Sequence, residues 1–207
     1  MTIGAAQMKR VISEIKTIDP KFASIIDAHP LCPIGRKKSE KSHFESLVSS
    51  VISQQLALKA ADTIHSRVVA LAGGKISPAR IVRMAPEELR SAGVSGAKAR
   101  TIKGLGEAAF NGDVAIEDLH LADDELIANQ LKSLWGIGPW TVDMFMMFQL
   151  GRLDIWPIGD LGVRRGWEKI HRLKEEIDPK KLHLKGEKFR PHRSIVAWYC
   201  WRAIENK

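Results

Sequence analysis

With 207 residues, of which 44% are hydrophobic, the chain has enough apolar material for one packed domain or two small ones, which excludes a disordered or fibrous protein. Its 32 Lys and Arg against 24 Asp and Glu leave a net charge of +8, favouring a polyanionic partner over an acidic or neutral one. Two cysteines, Cys32 and Cys200, cannot make a metal cage and read most simply as reduced thiols, and no apolar run approaches the roughly 18 residues of a membrane span. With no basic leader near Met1, these features predict a soluble intracellular protein, in cytoplasm or nucleoid, or in the nucleus of a eukaryote, with no membrane partner.

In chain order, Met8, Val11, Ile12, Ile15 and Ile18 recur at helical spacing, and after Pro20 so do Phe22, Ile25 and Ile26. The run Arg36, Lys37, Lys38 and Lys41 lies among Pro33 and Gly35 and reads as a solvated loop or a patch flanking nucleic acid. Two buried helical faces follow, Phe44 to Leu56 and Ala60 to Leu71. Between them stands Ser53-Gln54-Gln55-Leu56, where a buried amide would need partners and a leucine is by type a core residue. Gly73 to Pro86 is turn-rich and leads into a helix at Pro86–Ser91. Gly93-Val94-Ser95-Gly96 then opens a helix bearing Lys98, Arg100 and Lys103, either a second phosphate contact or a solvated basic face.

Apolar residues at Leu126, Ile127, Leu131 and Leu134 predict a helix arriving at Gly136-Ile137-Gly138. Those glycines permit positive φ and close backbone approach, and Pro139 suits the first turn of a new helix. Alone, the pattern fits an ordinary αα-hairpin or a phosphate-binding turn. A helix from Pro139 to Leu150 would run about 18 Å and stop at Gly151, and Gly151 to Gly159 can return roughly 25 Å in extended form. Asp160 would then come back near the hairpin, or simply cap the helix begun by Leu161, Val163, Arg164 and Trp167. After a polar stretch from Ile177 through Arg190, a closing helix carries Trp198, Tyr199 and Trp201. Every recognisable element is helical, so the fold class is all-α.

The combined pattern L-W-G-I-G-P-W-T, a helix, and W-P-I-G-D-L-G-V-R-R-G resembles the helix-hairpin-helix DNA glycosylases, specifically the compact alkylpurine (3-methyladenine type II) branch, over about Phe44 to Trp201. The resemblance implies one glycosylase unit spanning residues 1–207, with two helical lobes flanking a cleft: a middle lobe of about 44–135, and a second from about 1–43 plus 136–207. It implies Asp160 as the catalytic carboxylate, Trp140, Trp201, Trp198 and Met144 around the base, and Gln54, Gln55, Leu56, Gly136, Gly138 and Lys98 at the DNA, with Leu56 filling the gap left by the extruded nucleotide. Met144 stands where a well-studied branch has tyrosine, and Gly159 where many relatives have a second aspartate.

The position of the superfamily's Schiff-base lysine is Trp140, so hydrolysis without strand cleavage is expected. No cofactor is required, and the cysteines of an iron–sulfur cluster are missing. By resemblance the hairpin holds K+ or Na+ on the main-chain carbonyls of Lys132, Leu134 and Ile137. The expected partner is double-stranded DNA containing alkylated bases, met by a monomer. A non-catalytic DNA-binding module, or a glycosylase for another damaged base, are the competing readings.

Overall fold

The computed structural model describes residues 3–37 and 39–205; Lys38 of the basic run lies outside them. Among the described residues, twelve α-helices, short 3-10 turns and one π turn make up the regular structure, with no β-strand. The chain forms two compact units, one from the described residues of 1–38 and 146–207, the other from residues 39–145.

In the second of these units, α3 (His43–Ser53), α4 (Leu58–Leu71), α5 (Pro78–Arg83), α6 (Pro86–Ser91), α7 (Gly96–Asn111), α8 (Asp124–Lys132) and α9 (Pro139–Met144) follow in order. Phe44, Leu47, Val48, Val51 and Ile52 all face its core, as their spacing predicts, together with Ile81, Ile102, Leu105, Ile127 and Leu131. Ser42 caps α3, and the Glu117 carboxylate accepts from the His43 and Phe44 amides at 3.1 and 3.0 Å, so orphan donors of the helix start are satisfied. Helix α5 departs from the turn-rich reading of residues 73–86. The segment is helical because Ile81 is buried and Lys103, from a distant helix, donates to the carbonyls of Ile81, Val82 and Met84 at its far end.

The other unit contains α1 (Ala5–Ile18), α2 (Ala23–Asp27), α10 (Leu161–His171), α11 (Pro179–Gly186) and α12 (Arg193–Ile204). Helix α12 is buried from Arg193 through Cys200, the condition of a helix at the centre of a core. Helix α10 crosses it closely, because a Cβ at Gly166 would collide with the Cys200 backbone. The polar stretch expected through Arg190 contains α11: Pro179 occupies its first turn behind Asp178, whose carboxylate accepts from the Lys180 and Lys181 amides.

The helix from Pro139 also differs from the uninterrupted one expected to Leu150. Regular α geometry ends at Met144, and Phe145–Gln149 form a π turn. Gly151 then adopts φ +69° and packs against Gly35, ending the helix where the sequence predicts.

Candidate active site

Residues 151–159 form the extended return, and α12 holds them. The buried Arg193 guanidinium donates to both Asp154 carboxylate oxygens, at 2.7 and 3.0 Å, and to the Asp154 carbonyl at 3.0 Å. Ser194 gives its amide to the Leu153 carbonyl and its hydroxyl to the Arg152 carbonyl, and accepts from the Ile155 amide. At the far end of the return the Trp156 indole N–H donates to the Leu182 carbonyl at 2.9 Å, in space left by Gly186. These bonds fix where Asp160 emerges.

Asp160 does cap α10: its Oδ1 accepts from the Val163 amide at 2.8 Å. The same oxygen accepts the Trp201 indole N–H at 2.8 Å, so the cap and the aromatic wall share one atom. Trp201 is half-buried and lies against Phe148, ring centroids 5.7 Å apart and tilted by 31°. Phe148, on the π turn, is 48% exposed and absent from the sequence reading: within the apolar run around it, an aromatic facing a site cannot be told from Phe145, which is fully buried. Gly162 is the second residue that reading missed. A Cβ there would stand 2.8 Å from the Trp201 ring and 3.1 Å from Asp160 Oδ1, so only glycine lets the indole reach the carboxylate.

Trp198, expected against the base, is instead a core residue. It is 6% exposed, meets Tyr199 edge-on at 4.9 Å, and carries the Arg202 guanidinium over its ring. One residue type at helical spacing from Trp201 cannot reveal which of the two turns inward. Cys200 between them is buried, and burial, with Asp160 nearby, raises its thiol pKa far above the ordinary range.

In the unit of residues 39–145, the segment Ser53–Leu56 leaves α3 as a tight turn with Gln55 at φ +55°, an uncommon conformation for a side chain of this size and one that marks functional sites. Leu56 follows, 40% exposed rather than spent in the core. Gln54 finds the partners its amide needs: Nε2 donates to the Gly136 carbonyl at 3.3 Å and to Thr141 Oγ1 at 3.0 Å. The turn at Ser53–Leu56 is thus tied to the hairpin. Lys98, expected on a phosphate, turns inward and donates to the carbonyls of Ile52 at 2.8 Å and Gln54 at 2.6 Å, closing the end of α3; burial lowers its pKa. A cation at a helix C-terminus satisfies both the dipole and the orphan carbonyls, which outcompetes a solvated position.

Gly136 has φ +80°, and a Cβ on it would strike Thr101, so the hairpin requires glycine there. Gly138 is the N-cap of α9 with Pro139 in the first position, and Trp140 and Met144 are both half-buried along that helix. The Leu134 carbonyl accepts from the Ile137 amide at 3.1 Å, which leaves it a second lone pair. Carbonyl oxygens of this kind, with those of Lys132 and Ile137, suit a hard monovalent cation. Among the described residues no cluster of His, Cys, Asp and Glu could hold a metal ion, and no helix is long and apolar enough to cross a membrane.

Residues 48–191 match the model of the HhH-GPD superfamily of base excision DNA repair proteins. DNA-3-methyladenine glycosylase 1 of Schizosaccharomyces pombe is 36% identical over 172 residues, covering 81% of this chain and 75% of that protein. A DNA-3-methyladenine glycosidase from Bacillus halodurans shares the fold with TM-score 0.77 and 36% identity, covering 92% of this chain and 88% of that one. The S. pombe 3-methyladenine DNA glycosylase bound to abasic DNA gives TM-score 0.82 at 30% identity, with 94% and 95% covered.

Proposed function

The chain belongs to the HhH-GPD superfamily of base excision DNA repair proteins, and from that premise we propose a monofunctional DNA glycosylase that hydrolyses the N-glycosidic bond of alkylated purines of the 3-methyladenine and 7-methylguanine type. The observation that carries the proposal is the corner at Asp160, a carboxylate oriented by one backbone and one indole N–H beside the Trp201 and Phe148 rings.

Breaking the C1′–N bond leaves positive charge on the sugar, and a carboxylate fixed beside it lowers the barrier without rearranging as the charge develops. Alkylation at N3 or N7 already makes the base a cationic leaving group, so it departs with the bonding pair and no general acid is needed. A water oxygen then bonds to C1′ and its proton passes to solvent. The target lies inside a stacked duplex, so the nucleotide has to be extruded, with Leu56 filling its place and Gln54 and Gln55 beside it. A cationic purine gains more from aromatic faces than a neutral base does, which gives Trp201, Phe148 and Trp140 their part and leaves Met144 to set substrate range. The hairpin at Gly136 and Gly138 holds the DNA backbone, and the main-chain carbonyls of Lys132, Leu134 and Ile137 would hold K+ or Na+, whose positive charge would add to the attraction for phosphate. Trp140 offers no amine for a Schiff base, so the strand stays intact. The enzyme works as an intracellular monomer on double-stranded DNA.

Asp160→Asn tests this reading, because it removes the charge and keeps the shape and the N-cap. Release of free base from duplexes carrying one defined lesion should fall by about three orders of magnitude while lesion binding persists. Near-normal turnover would reduce Asp160 to a cap. No base release by the unmodified protein from any lesion would leave only a DNA-binding module, and a borohydride-trapped adduct would refute the monofunctional assignment.

A further inference from the structure

Helix α7 carries three cations in its first half, and the structure separates them. Lys98 donates to the carbonyls that end α3, and Lys103 to those that end α5. Arg100 alone of the three is exposed, and its guanidinium lies 4.3 Å from the centroid of the Trp135 ring. Trp135 is 51% exposed, although a tryptophan ordinarily buries most of its surface, and it occupies the turn between α8 and α9 immediately before Gly136.

A guanidinium stacked on an indole uses its flat face and keeps its edge donors directed outward in one plane, the arrangement that matches two oxygens of a phosphate. Stacking also holds the long side chain in place before any ligand arrives, which removes part of the ordering cost of binding. The turn beside it is fixed in turn, since Gln54 holds the Gly136 carbonyl and Gly136 sits on Thr101. We propose that Arg100 and Trp135 form a preorganised clamp for one phosphodiester of the duplex DNA backbone. Of Lys98, Arg100 and Lys103, which the sequence offers together as a second phosphate contact or a solvated basic face, the clamp keeps Arg100, and it rests on the reading of the protein as a DNA glycosylase.

The test is the salt dependence of binding to a short duplex containing a stable abasic-site analogue, for the unmodified protein, Arg100→Ala, Trp135→Ala, the double variant and Arg100→Lys. Removing one phosphate contact should lower the slope of log K against log salt by about 0.9 and weaken binding roughly tenfold at 0.1 M salt, as expected for Arg100→Ala. Trp135→Ala should keep the slope and lose several-fold in affinity. The double variant should be little worse than Arg100→Ala, because the indole acts through the guanidinium. Arg100→Lys should keep the slope and bind several-fold more weakly, because an ammonium cannot present two coplanar donors. An unchanged slope in Arg100→Ala, or losses that multiply in the double variant, would overturn the clamp while salt-sensitive binding by the unmodified protein left the glycosylase reading intact. Salt-insensitive binding by the unmodified protein would overturn both. Thermal unfolding midpoints of all variants should match, since both side chains are exposed.

Discussion

The corner at Asp160 and the turn at Leu56 solve the same problem, holding one side chain in place, by opposite means. Asp160 stands at the crossing of two packed helices, where Gly162 and Gly166 remove side chains so that α12 can approach α10. Leu56 stands on an exposed turn held by hydrogen bonds, from Lys98 to the end of α3 and from Gln54 to the hairpin. Packing tolerates no displacement without overlap, whereas a hydrogen-bonded turn can shift and re-form. Under the proposed function the difference suits the chemistry, since charge stabilisation at Asp160 would depend on tenths of an ångström, while a wedge at Leu56 would have to move between bound and free DNA.

The crossing breaks most completely at Gly166→Val, whose side chain would overlap the Cys200 backbone. Overpacking against main chain should cost about 3 kcal/mol, read as a lower midpoint in denaturant with the slope unchanged. Gly162→Ala separates geometry from stability. Its methyl group would press on the Trp201 ring near the oxygen that receives the indole N–H, so base release should fall by about 100-fold with a near-normal unfolding midpoint. Leu56→Ala addresses the turn: excision from fully paired duplex should slow by about tenfold, with much less effect on single strands or mismatched sites, where no stack has to be held open. Equal losses on all substrates with a lower melting temperature would make Leu56 a core residue.

The smallest effect concerns the far end of α10. There His171, stacked on Trp167, and Lys188 both bond to the Asp19 carboxylate at 3.0 Å. Burial pushes the Asp19 pKa up, but the His171 and Lys188 hydrogen bonds and charges outweigh it and hold it below 3.8. A depressed folded value means that this stabilisation is present above about pH 4 and is lost as pH falls through the folded pKa. Asp19→Asn should therefore cost about 1 kcal/mol at pH 7, with the gap to the unmodified protein closing on acidification below pH 4. A gap that stayed constant to pH 3 would show that the carboxylate's charge contributes nothing.

Local pattern in the sequence determined where most helices run, that Gly136 and Pro139 make a hairpin, and that Asp160 begins α10, because spacing, caps and turn residues act over a few neighbouring positions. The same pattern found neither α5, whose far end is held by Lys103 from α7, nor α11 inside the stretch read only as polar. Which way a side chain points depends on what lies behind it, and that only the tertiary structure decided. It turned Lys98 onto the end of α3, sent Trp198 into the core and Trp201 to Asp160, and brought Phe148 beside them. Gly162 and Gly166 are ordinary helical glycines until α12 crosses them, and only that crossing shows why neither position can carry a side chain.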